Sequence, residues 1–260
     1  MNVLLIGDVM GKPGRKVVAV LLPELRRELK LDLVVANGEN AAAGRGLTER
    51  TAQDLFDAGV DVITSGNHIW DQKEVIPLLD QEAPILRPIN YPPGAPGRGV
   101  LTQKGVTVLN LQGRTFMPEI DCPFRAADAA LAELPAGAVV LVDMHAEATS
   151  EKQAMGRYLD GRVAAVAGTH THVATADAWV LPGGTAYVTD LGMCGPKESI
   201  IGNEIDAVLE RFLSAMPTRL PVAEKSRTLQ FNAVLVEVDE TTGRARSIER
   251  VDREYTIDGE

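Results

Sequence analysis

The chain has 260 residues, 45% hydrophobic and 24% charged, the balance of a folded globular protein rather than a disordered or fibrous one. Acidic residues outnumber basic ones 36 to 26, a net charge of −10, which excludes a surface built to grip nucleic-acid backbone nonspecifically, because that takes a basic excess. No apolar run approaches the ~20 residues that cross a bilayer, and Asp8 follows Met1–Ile6 too closely for a cleaved leader, so a cytoplasmic location is expected.

In chain order, Val3–Ile6, Leu31–Ala36, Val60–Thr64, Val106–Leu111, Ala138–Val142 and Val163–Ala167 are apolar runs that end in small or polar residues, the pattern of buried strands. Between them the helical period predicts Pro13–Leu29, with Val18, Leu21, Leu22, Leu25 and Leu29 on one face and Pro13 in the first turn. Shorter helices are predicted at Thr48–Asp57, Asp71–Leu79 and Phe124–Leu134. The loop Arg87–Gly99 is stiffened by Pro88, Pro92, Pro93 and Pro96. Two hairpins follow, Ala176–Leu181 with Thr185–Thr189, and Leu229–Val238 with Arg244–Val251 across Thr241-Thr242-Gly243. Strands alternating with helices predict an α/β fold. No linker, repeat or low-complexity tract interrupts it, so one domain over residues 1–260 is expected. Cys122 and Cys194 have no CxxC spacing, which argues against a disulfide framework and a zinc ribbon.

The four histidines carry the chemistry. His68, His145, His170 and His172 all follow predicted strands, in Gly66-Asn67-His68, Asp143-Met144-His145 and Gly168-Thr169-His170-Thr171-His172. Other strand ends carry Gly7-Asp8 and Gly38-Glu39-Asn40. In an α/β sheet the carboxyl edges of the strands open on one crevice. Asp8, Glu39, Asn40, Asn67, His68, His145, His170 and His172 would gather there. Unpaired carboxylates and imidazoles in a crevice are costly, and divalent cations satisfy them. Mixed oxygen and nitrogen donors without thiolate suit Mn, Fe, Zn or Co. The donors exceed what one ion uses, so two ions sharing a carboxylate is the economical reading. Such a pair at ~3.5–4 Å hydrolyses phosphate esters.

Each residue has a plainer explanation. Asp8 could cap a helix, Asn67 and Gly38-Glu39-Asn40 could be turn residues, and His170 and His172 ordinary loop histidines. Asp71 could orient His68 or cap the helix beginning there, and capping is the expected role. Cys194 is expected to be a passive small hydrophobe. Arg45, Arg98 and Arg114 lie in predicted loops and could meet phosphate, or be merely solvated. These explanations work one at a time. They leave unexplained why every histidine sits at a strand end.

The ordered series Gly7-Asp8, Gly38-Glu39-Asn40, Gly66-Asn67-His68, His145 and His170-Thr171-His172 resembles the calcineurin-like metallophosphoesterases, and is most similar to their YmdB-like branch of bacterial phosphodiesterases. The resemblance runs from Val3 to about Pro196 and includes Met193-Cys194-Gly195-Pro196. It departs from the broad superfamily where Asp8-Val9-Met10 replaces Asp-x-His and Gly38-Glu39-Asn40 replaces Gly-Asp-x-x-Asp, as the YmdB-like branch does. A lost nitrogen ligand and a gained Asn40 oxygen make the first site harder, which favours iron or manganese. The resemblance implies a layered α-β-β-α sandwich of two mixed β-sheets flanked by helices. It implies that Asp8, Glu39, Asn40 and His172 hold one ion, that Glu39, Asn67, His145 and His170 hold the other with Glu39 bridging, and that His68 is the general acid.

The expected function is dinuclear metal-dependent hydrolysis of phosphodiesters. A hydroxide shared by the ions attacks phosphorus while His68 protonates the leaving oxygen. The resemblance implies 2′,3′- or 3′,5′-cyclic nucleotides as substrates. Two other readings are a phosphomonoesterase on the same centre and a metal-dependent regulatory or RNA-associated binding protein with residual catalysis. Turnover of a cyclic nucleotide after metal loading separates the three. The expected partner is a small phosphodiester, with no membrane and no nonspecific nucleic acid; a homo-oligomer is compatible with the sequence, and the substrate-contact residues are left open.

Overall fold

The computed structural model describes residues 1–257. Strand β1 (Asn2–Ile6) leads through a short β2 (Asp8–Val9) into helix α1 (Gly11–Glu28), followed by β3 (Leu33–Asn37), α2 (Glu49–Ala58), β4 (Val62–Thr64) and α3 (Val75–Leu79). Next come β5 (Val100–Gln103), β6 (Val106–Gln112), α4 (Pro123–Ala132), β7 (Val139–His145), α5 (Thr149–Tyr158) and β8 (Ala165–Thr169). Short strands β9 (Trp179–Val180), β10 (Ala186–Val188) and β11 (Met193–Pro196) precede α6 (Ile205–Ser214), and β12 (Thr228–Phe231), β13 (Ala233–Asp239), β14 (Arg244–Arg250) and β15 (Arg253–Thr256) follow.

The two main sheets have the orders β14-β13-β1-β3-β4 and β5-β6-β7-β8-β10-β9. Both are mixed. β1, β3 and β4 are parallel, as are β6, β7, β8 and β10, while β13, β14, β5 and β9 add antiparallel edges. Alternation along each strand divides the core into layers. In the first sheet, Val3, Leu5, Leu33 and Val35 face Val106, Val108, Leu141 and Ala165 of the second. On its other face, Leu4, Ile6, Val34 and Ala36 pack on Val17, Val18, Leu22 and Leu25 of α1 and on Ala52 and Leu55 of α2. The outer face of the second sheet, with Leu109, Leu111, Val140 and Val142, packs on Ala127 of α4 and on Met155 and Leu159 of α5. This is the α-β-β-α sandwich. Strands buried on both faces explain why the sequence shows continuous apolar runs rather than strict alternation.

A third sheet, β15-β12-β11-β2, stands beside these two. It forms where β1 and β13 bend. The predicted strand Leu229–Val238 breaks at Asn232 into β12 and β13, and the Asn232 carbonyl accepts a 3.0 Å hydrogen bond from the Gly7 amide at the matching bend between β1 and β2. Gly7 allows this approach, since a Cβ there would lie 2.1 Å from the Gly192 carbonyl oxygen. The segment Met193–Pro196 is itself strand β11, paired with β2.

Helices α5 and α6 have no counterpart in the sequence reading. The predicted helix Asp71–Leu79 shortens to Val75–Leu79, with Glu74 at its N-cap and no side-chain cap. No helix among the described residues is long and apolar enough to cross a membrane.

Candidate metal centre

The parallel strands of both sheets deliver their carboxyl ends to one cleft. β1, β3 and β4 bring Asp8, Glu39, Asn40, Asn67 and His68 from one side; β7 and β8 bring His145, His170 and His172 from the other. All eight are neighbours. Asp8, Glu39, Asn40 and His145 are buried.

His145 stands at the centre of one group. Its Nε2 lies 3.1 Å from Glu39 Oε1, 3.1 Å from Asn67 Oδ1 and 3.1 Å from His170 Nδ1. Single ligand atoms from Glu39, His145 and His170 all fall within 4.8 Å of one another. The other face of His145 is tied down: Nδ1 lies 2.9 Å from Thr169 Oγ1, which donates to Asp143 Oδ1 at 2.7 Å. Thr169 can give its proton to the carboxylate only if it accepts from Nδ1–H. That order leaves Nε2 as the nitrogen that turns to the cleft. Asn37 adds a 3.1 Å bond to Asp143 Oδ2.

The second group adjoins the first through Glu39. Asn40 Nδ2 lies 3.3 Å from Glu39 Oε1 and 3.1 Å from His172 Nε2, and His172 Nε2 lies 3.7 Å from Asp8 Oδ1. Asp8 Oδ2 accepts the His170 amide at 3.0 Å, whereas Asp8 Oδ1 is buried without a hydrogen-bond partner. An ionised carboxylate oxygen with nothing to bind it is costly in such a place. A cation is the partner that the donor set suits.

Electrostatics point the same way. Burial pushes the Asp8 carboxyl up to about 6, against the pull of His172 and His145. Burial also works against the charge of Glu39, but the charge and hydrogen bond of His145, with His68, outweigh it and hold Glu39 down at about 2. His145 faces the same desolvation and is lifted to about 9 by Glu39. Burial and the neighbouring His145 push His170 down to about 3. A protein-only site thus holds a proton between Glu39 and His145, where a divalent ion would replace it.

The His68 ring stands apart from both groups. The residue lines the cleft, its amide donates to Glu39 Oε2 at 3.1 Å, and its Nδ1 lies 3.0 Å from Asp71 Oδ2. Asp71 therefore partners His68 rather than capping a helix, since α3 begins only at Val75. Asp8 caps no helix either: α1 begins at Gly11 with Met10 at the N-cap. His170 and His172 do not continue strand β8, which ends at Thr169. They follow β8 in a bend, at φ 97° and 65°.

Other residues emerge only in three dimensions. Glu147 Oε2 lies 3.1 Å from His170 Nε2, and Glu147, Arg45, Gln72, Thr218 and Arg219 line the cleft, which has a volume of about 660 Å³. Of Arg45, Arg98 and Arg114, Arg45 is the one that reaches the site. Arg98 donates to the carbonyls of Glu82 and Ala83, and Arg114 lies in a separate depression beside Glu151. Cys194 is buried, and that burial pushes its thiol well up, so it is the inert residue expected.

Oxygen and nitrogen donors at the carboxyl edges of two facing sheets, inside an α-β-β-α sandwich, define a metallophosphoesterase-type hydrolase. Residues 4–251 match the family model described as YmdB-like protein, and the chain belongs to that family. It is 46% identical over 256 residues to the 2′,3′-cyclic-nucleotide 2′-phosphodiesterase of Bacillus subtilis (strain 168), covering 96% of each chain. A hypothetical protein from Thermus thermophilus superposes with a TM-score of 0.91 at 48% identity, over 98% of this chain and 99% of the other. A phosphatase from Mycoplasma pneumoniae also superposes with a TM-score of 0.91, at 33% identity, over 98% of this chain and 94% of the other.

Proposed function

We propose that this phosphoesterase hydrolyses 2′,3′-cyclic nucleotides at a dinuclear metal centre, acting as one domain in the cytoplasm. In this reading Asp8, Glu39, Asn40 and His172 hold one ion, and Glu39, Asn67, His145 and His170 hold the other. Iron or manganese suits this hard, thiolate-free donor set. When bound, the ions supply Lewis acidity, making water nucleophilic at neutral pH and neutralising phosphoryl oxygens.

The protein's own residues do the rest. Asp143, Thr169 and Asn37 orient His145 so that Nε2 faces the cleft. Asp71 holds His68 by Nδ1. The other ring nitrogen of His68 then delivers a proton to the departing ribose oxygen, a poor leaving group that needs one. The 46% identity to a 2′,3′-cyclic-nucleotide 2′-phosphodiesterase supports the 2′,3′-cyclic substrate over the 3′,5′-cyclic alternative.

The observation that carries this reading is the pair of ligand groups meeting at Glu39, with Asp8 Oδ1 buried and unpartnered beside them. Metal analysis of protein reconstituted with manganese or iron is the test, followed by turnover of 2′,3′-cyclic AMP, 3′,5′-cyclic AMP and the monoester 3′-AMP, whose leaving group is likewise a ribose oxygen. Two ions per chain and a preference for the first substrate are expected. Glu39→Ala should lose both ions, and Asp8→Ala should retain one. At most one ion in fully loaded native protein overturns the dinuclear reading, and preference for the monoester overturns the diester assignment.

A further inference from the structure

A lysine in the apolar interior needs a reason to be there. Lys152, on α5, is 1% exposed, and its Nζ lies 2.6 Å from Oδ2 of Asp190, which is 0% exposed. Its stem runs beneath β8, where a Cβ on Gly168 would come within 2.8 Å of Lys152 Cδ. A buried ion pair is a weak stabiliser. Desolvation offsets most of the attraction, and apolar residues of similar volume often do as well or better.

The contacts of Asp190 supply the reason. Its Oδ2 also accepts from the Thr171 amide at 3.2 Å and the Thr171 hydroxyl at 2.8 Å. Its Oδ1 accepts from the Gly192 amide at 2.8 Å. The Gly192 carbonyl in turn takes the Asp8 amide at 3.0 Å, and Asp8 Oδ2 takes the His170 amide at 3.0 Å. The contacts close a ring from Asp190 through Thr171, His170, Asp8 and Gly192 back to Asp190. His170 within this ring and His172 just beyond it take left-handed backbone conformations that side chains with a Cβ rarely adopt. Thr171, between them, gives both its amide and its hydroxyl to Asp190.

We propose that the Lys152–Asp190 pair is a clamp that positions the His170-Thr171-His172 turn and Asp8 for the two ions. The inference rests on the assignment of His170 and His172 to different ions. Lys152 anchors the Asp190 carboxyl group from below, with Nζ 2.6 Å from Oδ2. Anchored there, Asp190 accepts from both the amide and the hydroxyl of Thr171, and these two bonds fix the residue that stands between the two imidazoles. Both residues act through others and neither touches substrate.

Thr171→Val tests this with little disturbance, because it deletes one hydroxyl and keeps the ion pair. Manganese affinity of chelator-stripped protein is measured by titration calorimetry, alongside the melting temperature of the same metal-free protein. Loss of a group that orients metal ligands typically costs about 10–100-fold in metal affinity. Thr171→Val should lose that much at both ions, with the metal-free melting temperature changed little, and Thr171→Ser should restore native affinity. Lys152→Met strands a buried carboxylate and is expected to lower the metal-free melting temperature as well, so the threonine pair decides. Native affinity in Thr171→Val, or a fall in melting temperature with both affinities intact, makes the pair structural and overturns the clamp. Fewer than two ions in the native protein overturns the dinuclear reading itself, a result distinguishable from failure of the clamp alone.

Discussion

His68 differs from the other histidines in what its ring touches. His145 meets Glu39 and His170, His170 also meets Glu147, and His172 meets Asn40 and Asp8, whereas His68 Nδ1 meets Asp71 at 3.0 Å, outside both ligand groups. A carboxylate at Nδ1 fixes the tautomer and the plane of the ring, as proton transfer requires. An acid matters when the leaving group is poor, and it is worth ~10²–10⁴-fold. His68→Ala should therefore lose about that factor on a 2′,3′-cyclic nucleotide and much less on bis(p-nitrophenyl) phosphate, whose leaving group departs without a proton. Steady-state rates on the two substrates, with metal content of the same sample, check this. Equal losses on both would assign His68 to phosphate or water positioning, and loss of metal would make it a ligand.

Among the elements, the turn leaving β4 carries the tightest requirement. A Cβ on Gly66 would lie 2.0 Å from Cδ2 and 2.2 Å from Nε2 of His145, in the middle of the imidazole. The turn thus passes directly over the ring that β7 delivers, which is how Asn67 comes within 3.1 Å of the same nitrogen. His145 has no easy retreat, because Thr169, itself held by Asp143, ties down its far side. Gly66→Ala is expected to displace His145 and abolish binding of the ion assigned to Asn67 and His170. Overpacking should also cost about 1–3 kcal/mol of stability. Metal titration and denaturant unfolding of the variant measure the two effects separately. An alanine that binds both ions as the native protein does would show that the turn can move away.

At the scale of the molecule, the centre ties one sheet to the other. Glu39, Asn40 and Asn67 come from the ends of strands of one main sheet, Asp8 from β2, which continues its strand β1, and His145, His170 and His172 from the other main sheet and its loops. No unfolded chain brings them together, so ions that bind this constellation favour the folded state by mass action. Each ion should add about 2.7 kcal/mol at a free concentration 100 times its dissociation constant. The melting temperature of chelator-stripped protein is expected to climb by several degrees on adding manganese and to fall back on adding chelator. Calorimetric scans across a manganese series measure this, and a melting temperature indifferent to both reagents would mean that the ligands are not assembled across the sheets.

The buried strands were legible because both of their faces are covered, so apolar runs such as Val3–Ile6 and Val163–Ala167 needed no partner to be recognised. The eight polar residues at strand ends were legible for a related reason: parallel strands send their carboxyl ends to the same edge, whichever order they take. Features that depend on one distant contact were not. Asp71 looks locally like a helix cap, and only the position of the His68 ring makes it a partner. Helix α5 was hidden by Lys152, a charge on the face that packs inward, whose counter-ion Asp190 arrives 38 positions later. The bend at Asn232 follows from a hydrogen bond to Gly7, near the other end of the chain. The sequence by itself determined which residues are apolar enough to be buried and which donors stand at strand ends. Only the tertiary structure decided which donors meet and what holds them, because those contacts join residues far apart in the chain and leave no local periodicity to read.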